Sequence, residues 1–407
     1  MNTLLERFLH YVSLDTQSDP DSTDRPGTPG QLSFLHLLDK ELREMGWAAT
    51  LHRQQYLTVR IPGNTDKAIP TIGFIAHVDT SPDVSGANIC PQIIENYDGN
   101  DIVLNASRKI TLRCADFPHL SQYTGQTLIT TDGATLLGAD DKAGVAILME
   151  LAQYLALHPE LPHGDICLAF TTDEEVGRGT DGFDVADFGA QYAYTIDGGA
   201  IGELEYENFN AAIATLQVKG CNMHPGEADK TFKNALLLIE DFNRQLPADQ
   251  RPETTSGYQG FYLLSQVNGS TEAAKAKYLV RDHDEAQFQN RKDFLYQTVH
   301  QLNQEYGDDT FQLHITDQYY NMQKKIAEYP IVIDKAVAAL VKAGLSPVIK
   351  PIRGGTDGAR LSYMGLPCPN LFTGGHNFHS IYEYISLQSM QKALEVVIHI
   401  VEGYNEA

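Results

Sequence analysis

Short apolar, β-rich runs alternate with amphipathic helical stretches along much of this chain, and that alternation constrains the fold more than any other feature. Apolar residues recur at three- and four-residue steps in "LSFLHLLDKELREMGW" (32–47), and again in "GVAILMELAQYLALH", "VIDKAVAALVKAGL" and "LQSMQKALEVVIHIVEGY". Between them lie "TIGFIAH", "ICLAFTT", "YAYTID" and "NLFTG". Runs of this kind read as strands covered on both faces. The expectation is an α/β fold, a mostly parallel sheet flanked by helices.

The middle of the chain has another rhythm. "AAIATLQVKG" reads as a strand and "FKNALLLIEDFNRQL" as an amphipathic helix. "GFYLLSQVNG" and "AKAKYLVRD" follow as strands on either side of a turn-rich "NGSTEA", then a long helix, "EAQFQNRKDFLYQTVHQLNQEY", and a strand, "TFQLHIT". This β-α-β-β-α-β order predicts a split βαβ, ferredoxin-like α+β unit. Because α/β elements resume after about residue 320, residues 208–320 are expected to be an inserted lid or dimerisation-like domain. The catalytic domain would then be discontinuous, 1–207 and 321–407, which a chain of 407 residues accommodates.

Thirty basic against 53 acidic residues leave a net charge of −23, which disfavours nucleic acid and anionic membranes as partners. No run approaches the roughly 20 apolar residues of a membrane span. "MNTLLERFLHYVSLDTQSD" breaks its apolar pattern with Glu6 and Arg7, unlike a signal peptide. The five cysteines (Cys90, Cys114, Cys167, Cys221, Cys368) are scattered and odd in number, as expected of reduced thiols in a cytoplasmic protein.

Ionisable residues collect where the apolar runs end. "TIGFIAHVDT" delivers His77 and Asp79, "ICLAFTTDEEVG" Asp173, Glu174 and Glu175, "YAYTID" Asp197, and "NLFTGGHNFHS" His376 and His379. The C-terminal edge of the strands is where open α/β sheets bind ligands. A further piece, "LLGADDKAG", puts Asp140 and Asp141 just before a helix. Singly, each has an ordinary reading: a surface pair, a helix N-cap, a solvated loop. Together they gather two histidines and at least three carboxylates on one edge, the mixed nitrogen and oxygen set that suits zinc. Three adjacent acids with only Arg178 nearby ask for a positive charge, and a metal supplies it. The set exceeds what one zinc needs, which points to two ions sharing a bridging carboxylate. A carboxylate left unligated beside them can take a proton from water.

With these pieces in this order, the chain resembles the zinc exopeptidases related to aminoacylase and carboxypeptidase G. Within that superfamily it is similar to the tripeptide aminopeptidases. "HVDT", "GADDKAG", "TTDEEVG" and "GGHNFHS" carry the general likeness, and "GELEYENFNAA", "HPGEADKTFKNA", "RDHD" and "RGGTDGARLS" the narrower one. The resemblance implies two Zn2+ per chain, with Co2+ or Mn2+ able to substitute. His77 and Asp197 would hold one ion, Glu175 and His379 the other, with Asp140 bridging. Glu174 would be the general base and Asp79 would orient the His77 imidazole. The bond between Asp140 and Asp141 would be cis.

For substrate, the resemblance implies that Arg353 grips the peptide carboxylate and that His224 assists at the scissile carbonyl. Arg281 would be a second anion contact, and His376 would line the site without binding metal. A structural ion pair for Arg353 (with Asp357) or Arg281 (with Asp282 or Asp284), and a turn role for His224, are the competing readings. Acidic Glu227 and Asp229 beyond "HPG" depart from the pattern and bear on fine specificity. The expected activity is release of the N-terminal residue from tripeptides, in a monomer or homodimer. The alternatives are a dipeptidase or N-acyl amino acid deacylase with the same site, or an inactive metal-binding relative.

Overall fold

The computed structural model describes residues 3–229 and 231–405. It divides into two compact units. One comprises the chain up to Tyr206, Lys324–Lys350 and the chain from Thr356, and the other Glu207–Gln323 with Pro351–Gly355. The short Pro351–Gly355 segment clusters with the inserted unit because it runs beside it: Ile352 bridges to Asn208, and its carbonyl oxygen lies 3.1 Å from His283 Nε2.

The first unit is built on an eight-stranded sheet. In chain order its strands are β1 (Ala49–His52), β2 (Tyr56–Ile61), β3 (Ile72–His77), β4 (Ile166–Thr171), β5 (Tyr192–Gly198), β6 (Glu203–Glu205), β7 (Val348–Ile349) and β8 (Asn370–Phe372). Their spatial order is β1-β2-β4-β3-β5-β8-β6-β7. The central four, β4-β3-β5-β8, are parallel, and every residue of β3 and β4 is buried. The flanks are mixed instead: β2 runs antiparallel to β1 and β4, and β6 antiparallel to β8. The β1–β2 turn at Arg53–Gln54 is too short for a crossover, so that pair must be a hairpin.

Parallel register levels the strand ends, setting His77 opposite Thr171, three residues before Glu174. The helix Ala139–Leu157 is apolar on nearly all sides and buried over most of its length, with Leu157 at its end exposed. It packs with Leu4, Phe8, Phe74, Tyr194, Val397 and Ile400 in one large cluster.

A second sheet of this unit joins Gln92–Ile94, Leu128–Thr130, Tyr384–Ser386 and Gly375–His376. These strands are two or three residues long, too short for a sequence period to reveal. They carry the loop that holds His379.

The second unit has the expected order of elements. Phe261–Gly269, Ala273–Asp282, Asn210–Lys219 and Phe311–Tyr319 lie side by side in that spatial order, all antiparallel. Helices Ala235–Gln245 and Glu285–Tyr306 are capped by Asn234 and Asp284, and bury Leu238, Phe242, Phe288 and Leu295 with the sheet. No described helix is long and apolar enough to cross a membrane.

Phe74 lies fully buried in β3 and 5.8 Å from the Tyr194 ring. Phe74→Ala should lower stability by about 3–5 kcal/mol, read from the urea midpoint followed by fluorescence.

Candidate metal centre

His77 closes β3 with its side chain 2% exposed. Its Nδ1 lies 3.0 Å from the carbonyl oxygen of Asp79, so Nδ1 carries a proton and donates it there. Nε2 then faces Asp140 Oδ1 at 2.9 Å and Asp197 Oδ1 at 3.4 Å. The other Asp140 oxygen, Oδ2, lies 3.3 Å from His379 Nε2, which also meets Glu175 Oε2 at 2.8 Å. Asp140 therefore stands between two imidazoles, one oxygen to each. His77 and Asp197 lie on one side of it, His379 and Glu175 on the other.

Neighbouring acids hold this arrangement through backbone amides. The peptide bond between Asp140 and Asp141 is cis. Asp141, fully buried, accepts from the amide of His77 at 3.2 Å and from that of Gly144 at 3.1 Å. It thus caps the helix and ties the helix start to the end of β3. A Cβ at Gly144 would lie 2.0 Å from the carbonyl oxygen of Ile196, so only glycine lets the helix approach β5 just before Asp197. Asp79, also fully buried, accepts from the amides of Glu174 (3.0 Å) and Glu175 (3.1 Å). Its carboxylate is 3.4 Å from His77 Nδ1, so it sits beside the imidazole while directly gripping the turn that presents the two glutamates.

The three adjacent acids do not act as one cluster. Asp173 takes a left-handed conformation, φ +60°. Its carboxylate turns away, accepting from the Gly27 amide (2.9 and 3.0 Å) and from Gln31 Nε2 (2.9 Å). Only Glu174 and Glu175 remain with the histidines.

Sequence reasoning missed two carboxylates. Asp83 Oδ2 lies 3.3 Å from His379 Nδ1, on the side away from Asp140. Glu383, 1% exposed, accepts from the amides of Leu137 (2.7 Å), Gly138 (2.9 Å), Ala139 (2.7 Å) and Asp140 (3.2 Å). The one available signal for Glu383 was a lone acid inside the apolar run "IYEYIS".

The electrostatics fit a divalent metal. Burial pushes the Glu175 carboxyl up to about 8, with Asp140 adding to the rise, and pushes Asp197 up to about 7 against the pull of His77. Burial raises Glu174 well above the usual range, against His77 and with Asp357, Asp197 and Glu175 adding. Burial alone would lower His379, yet hydrogen bonds to Asp140 and Glu175 raise it to about 11. Glu175 Oε1 is buried without a hydrogen-bond partner. A doubly charged ion gives that oxygen a partner and lets the crowded carboxylates ionise. Among the described residues, ligand atoms of His77, Asp140 and Glu175 lie within 4.8 Å of one another, as do those of His77, Asp141 and Asp197. Both Asp141 oxygens already accept amide protons, which leaves the first group with Asp197 and His379 as the better donor set.

The other candidates are placed as follows. His376 Nε2 meets Tyr123 Oη at 2.5 Å, and its ring stacks on His119 at 4.5 Å; burial, with His119 adding, pushes its pKa down to about 3. In the second unit, Arg353 donates from Nη1 to the carbonyls of Gly257 (2.8 Å) and Gln259 (3.1 Å), and from Nη2 to Thr255 Oγ1 (2.8 Å). Its guanidinium lies over Phe209 and Phe261. His224 is exposed, and its Nδ1 accepts from the Gly226 amide at 3.2 Å. Arg281 is buried and donates to Ala212 and Val280 carbonyls and to Gln318 Oε1. Asp282 pairs with Arg291 at 2.7 Å and Asp284 caps a helix, so the acids next to Arg281 in sequence are engaged elsewhere.

Asp173→Ala should lower stability by about 1–3 kcal/mol, because it leaves the Gly27 amide and Gln31 without their acceptor. Its content of divalent metal, measured by mass spectrometry, should equal that of the unaltered protein, while Asp140→Ala should lose metal.

The model for peptidase family M20/M25/M40 matches residues 130–403. Peptidase T of Desulfitobacterium hafniense (strain Y51) is 52% identical over 406 residues, covering 100% of this chain and 99% of that protein. The crystal structure of a tripeptidase from Staphylococcus aureus subsp. aureus Mu50 is similar at TM-score 0.78 and 19% identity, over 100% of this chain and 98% of that one. A dinuclear metal-binding peptidase of the M20 family from Bacillus subtilis is similar at TM-score 0.66 and 12% identity, over 98% and 96%. At these identities the two solved structures speak for the fold alone. From the family match and the full-length identity, this chain belongs to peptidase family M20/M25/M40 and, within it, to the peptidase T aminopeptidases.

Proposed function

We propose that this chain removes the N-terminal residue from tripeptides with a two-zinc site centred on Asp140. The observation that carries the reading is the division of the Asp140 oxygens between His77 and His379, with Asp197 and Glu175 outside them. His77 and Asp197 would hold one ion, His379 and Glu175 the other, and Asp140 both. Zinc bound there lowers the pKa of water to about 7 and polarises the scissile carbonyl.

The chain's own residues supply the proton transfers. Glu174 is held by Asp79 at its backbone, not its side chain, which leaves its carboxylate for chemistry. It takes a proton from the water that adds to the first peptide carbonyl carbon. It returns that proton to the departing amine as the C–N bond breaks, freeing an amino acid and a dipeptide. In His224 the accepted hydrogen bond at Nδ1 puts the proton on Nε2, making that nitrogen a donor for the developing oxyanion. Arg353, braced by two carbonyls and Thr255, presents a guanidinium plane suited to the peptide carboxylate. Arg281, whose guanidinium is engaged with its own sheet, is assigned no substrate contact. The tripeptide preference is supported by the full-length likeness to peptidase T, and the pair of ions by the two imidazoles on either side of Asp140. A cytoplasmic setting is supported by cysteines that are all free.

Zinc-loaded protein should release alanine from trialanine, and not from dialanine, tetra-alanine or N-acetyl-trialanine, by chromatography of the products. Turnover confined to dialanine or to deacetylation would transfer the same site to a dipeptidase or deacylase. Glu174→Gln should lower kcat by about 10²–10⁴-fold with zinc content unchanged.

A further inference from the structure

We infer that Glu383 is a positioning residue of the metal centre, holding the bridging Asp140 in place from behind. Asp141 caps the helix through the Gly144 amide, and the turn that leads into it, Leu137–Asp140, is held by another acid. Glu383 binds the amides of that turn from the far end of the chain. Its Oε2 takes the amides of Leu137 and Gly138, and its Oε1 those of Ala139 and Asp140. Four successive amides converge on one carboxylate because Gly138 is left-handed, φ +79°, the kind of backbone curve that elsewhere cradles phosphate. The last of the four belongs to Asp140. Its backbone is thereby fixed where its carboxylate divides between His77 and His379.

The same contact ties two parts of the centre together. Glu383 lies four residues beyond His379, in a loop braced by Asn377 Nδ2 on the Tyr382 carbonyl (3.0 Å) and Ser380 Oγ on the Asn377 carbonyl (2.7 Å). The Glu383 carboxylate thus clamps the loop that presents His379 to the turn that presents Asp140. A shift in either would spoil the register between the two imidazoles.

The inference rests on the two-zinc reading of the site, and its test separates the two. Glu383→Gln keeps the shape but presents an NH2 to two of the four amides. Metal-free protein is titrated with Zn2+ by calorimetry and with Co2+ by visible absorption, which reports ligand geometry. Expected are zinc affinity weaker by roughly 10–100-fold for at least one ion and an altered Co2+ spectrum. In turnover of trialanine, kcat should fall while KM stays nearly unchanged. Glu383→Asp, which retains the charge, should recover part of the affinity, and is the variant to read if Glu383→Gln does not fold. Glu150→Gln is the control, since Glu150 is buried against Arg7 and Thr3. It should lower Tm and leave zinc affinity unaltered. Wild-type zinc affinity and Co2+ spectrum in Glu383→Gln, whatever its Tm, overturn the inference. Failure of the unaltered protein to bind zinc overturns the metal reading instead.

Discussion

Five carboxylates and two imidazoles are packed around the end of a buried parallel sheet, and their mutual repulsion is the constraint that the surrounding structure answers. Asp140, Asp141, Glu174, Glu175 and Asp197 cannot all be ionised at neutral pH in so enclosed a place. Raised pKa values mark that conflict, about 8 for Glu175 and about 7 for Asp197, while Asp140, against its burial, is held low by hydrogen bonds from the two imidazoles. A fold seeking only stability would replace such a cluster with apolar side chains, which often stabilise more than buried charges do. Cations would relieve the conflict, and the division of Asp140 between two histidines is the observation on which the proposal of two of them rests.

Charge balance alone would not place the side chains. The acids that are not candidate ligands do that by binding backbone. Asp141 takes the amide of His77, Asp79 those of Glu174 and Glu175, and Glu383 that of Asp140. Each of these carboxylates is held by amide hydrogen bonds, and in turn it fixes the neighbouring chain with little freedom. The centre thus has two layers of acid. One points its oxygens inward at the histidines, and the other grips the peptide groups from which the first layer springs.

The central sheet was legible because β3 and β4 are continuous apolar runs that end in ionisable residues. The inserted unit was legible because its strands and helices are long enough to show two periods in alternation. The antiparallel flanks and the small sheet through Leu128–Thr130 were not, since strands of two to four residues carry no period. Within the site, the ends of the apolar runs and the turn before the helix gathered the ionisable candidates, and the resemblance to the zinc exopeptidases proposed His77, Asp140, Glu175, Asp197 and His379 among them as ligands. Neither could show the separation of Asp173 from Glu174. It depends on a left-handed residue and on Gln31, in a helix far away in sequence. Glu383 was hidden for the same reason, because its partners lie more than 240 residues earlier.

The account turns on two metal ions sharing Asp140. Crystals of the zinc-loaded protein, measured at wavelengths on either side of the zinc absorption edge, would locate them directly. The account predicts two anomalous peaks about 3.5–4 Å apart, one against His77 and Asp197 and one against His379 and Glu175, with Asp140 reaching both. A single peak, or peaks away from Asp140, would contradict it.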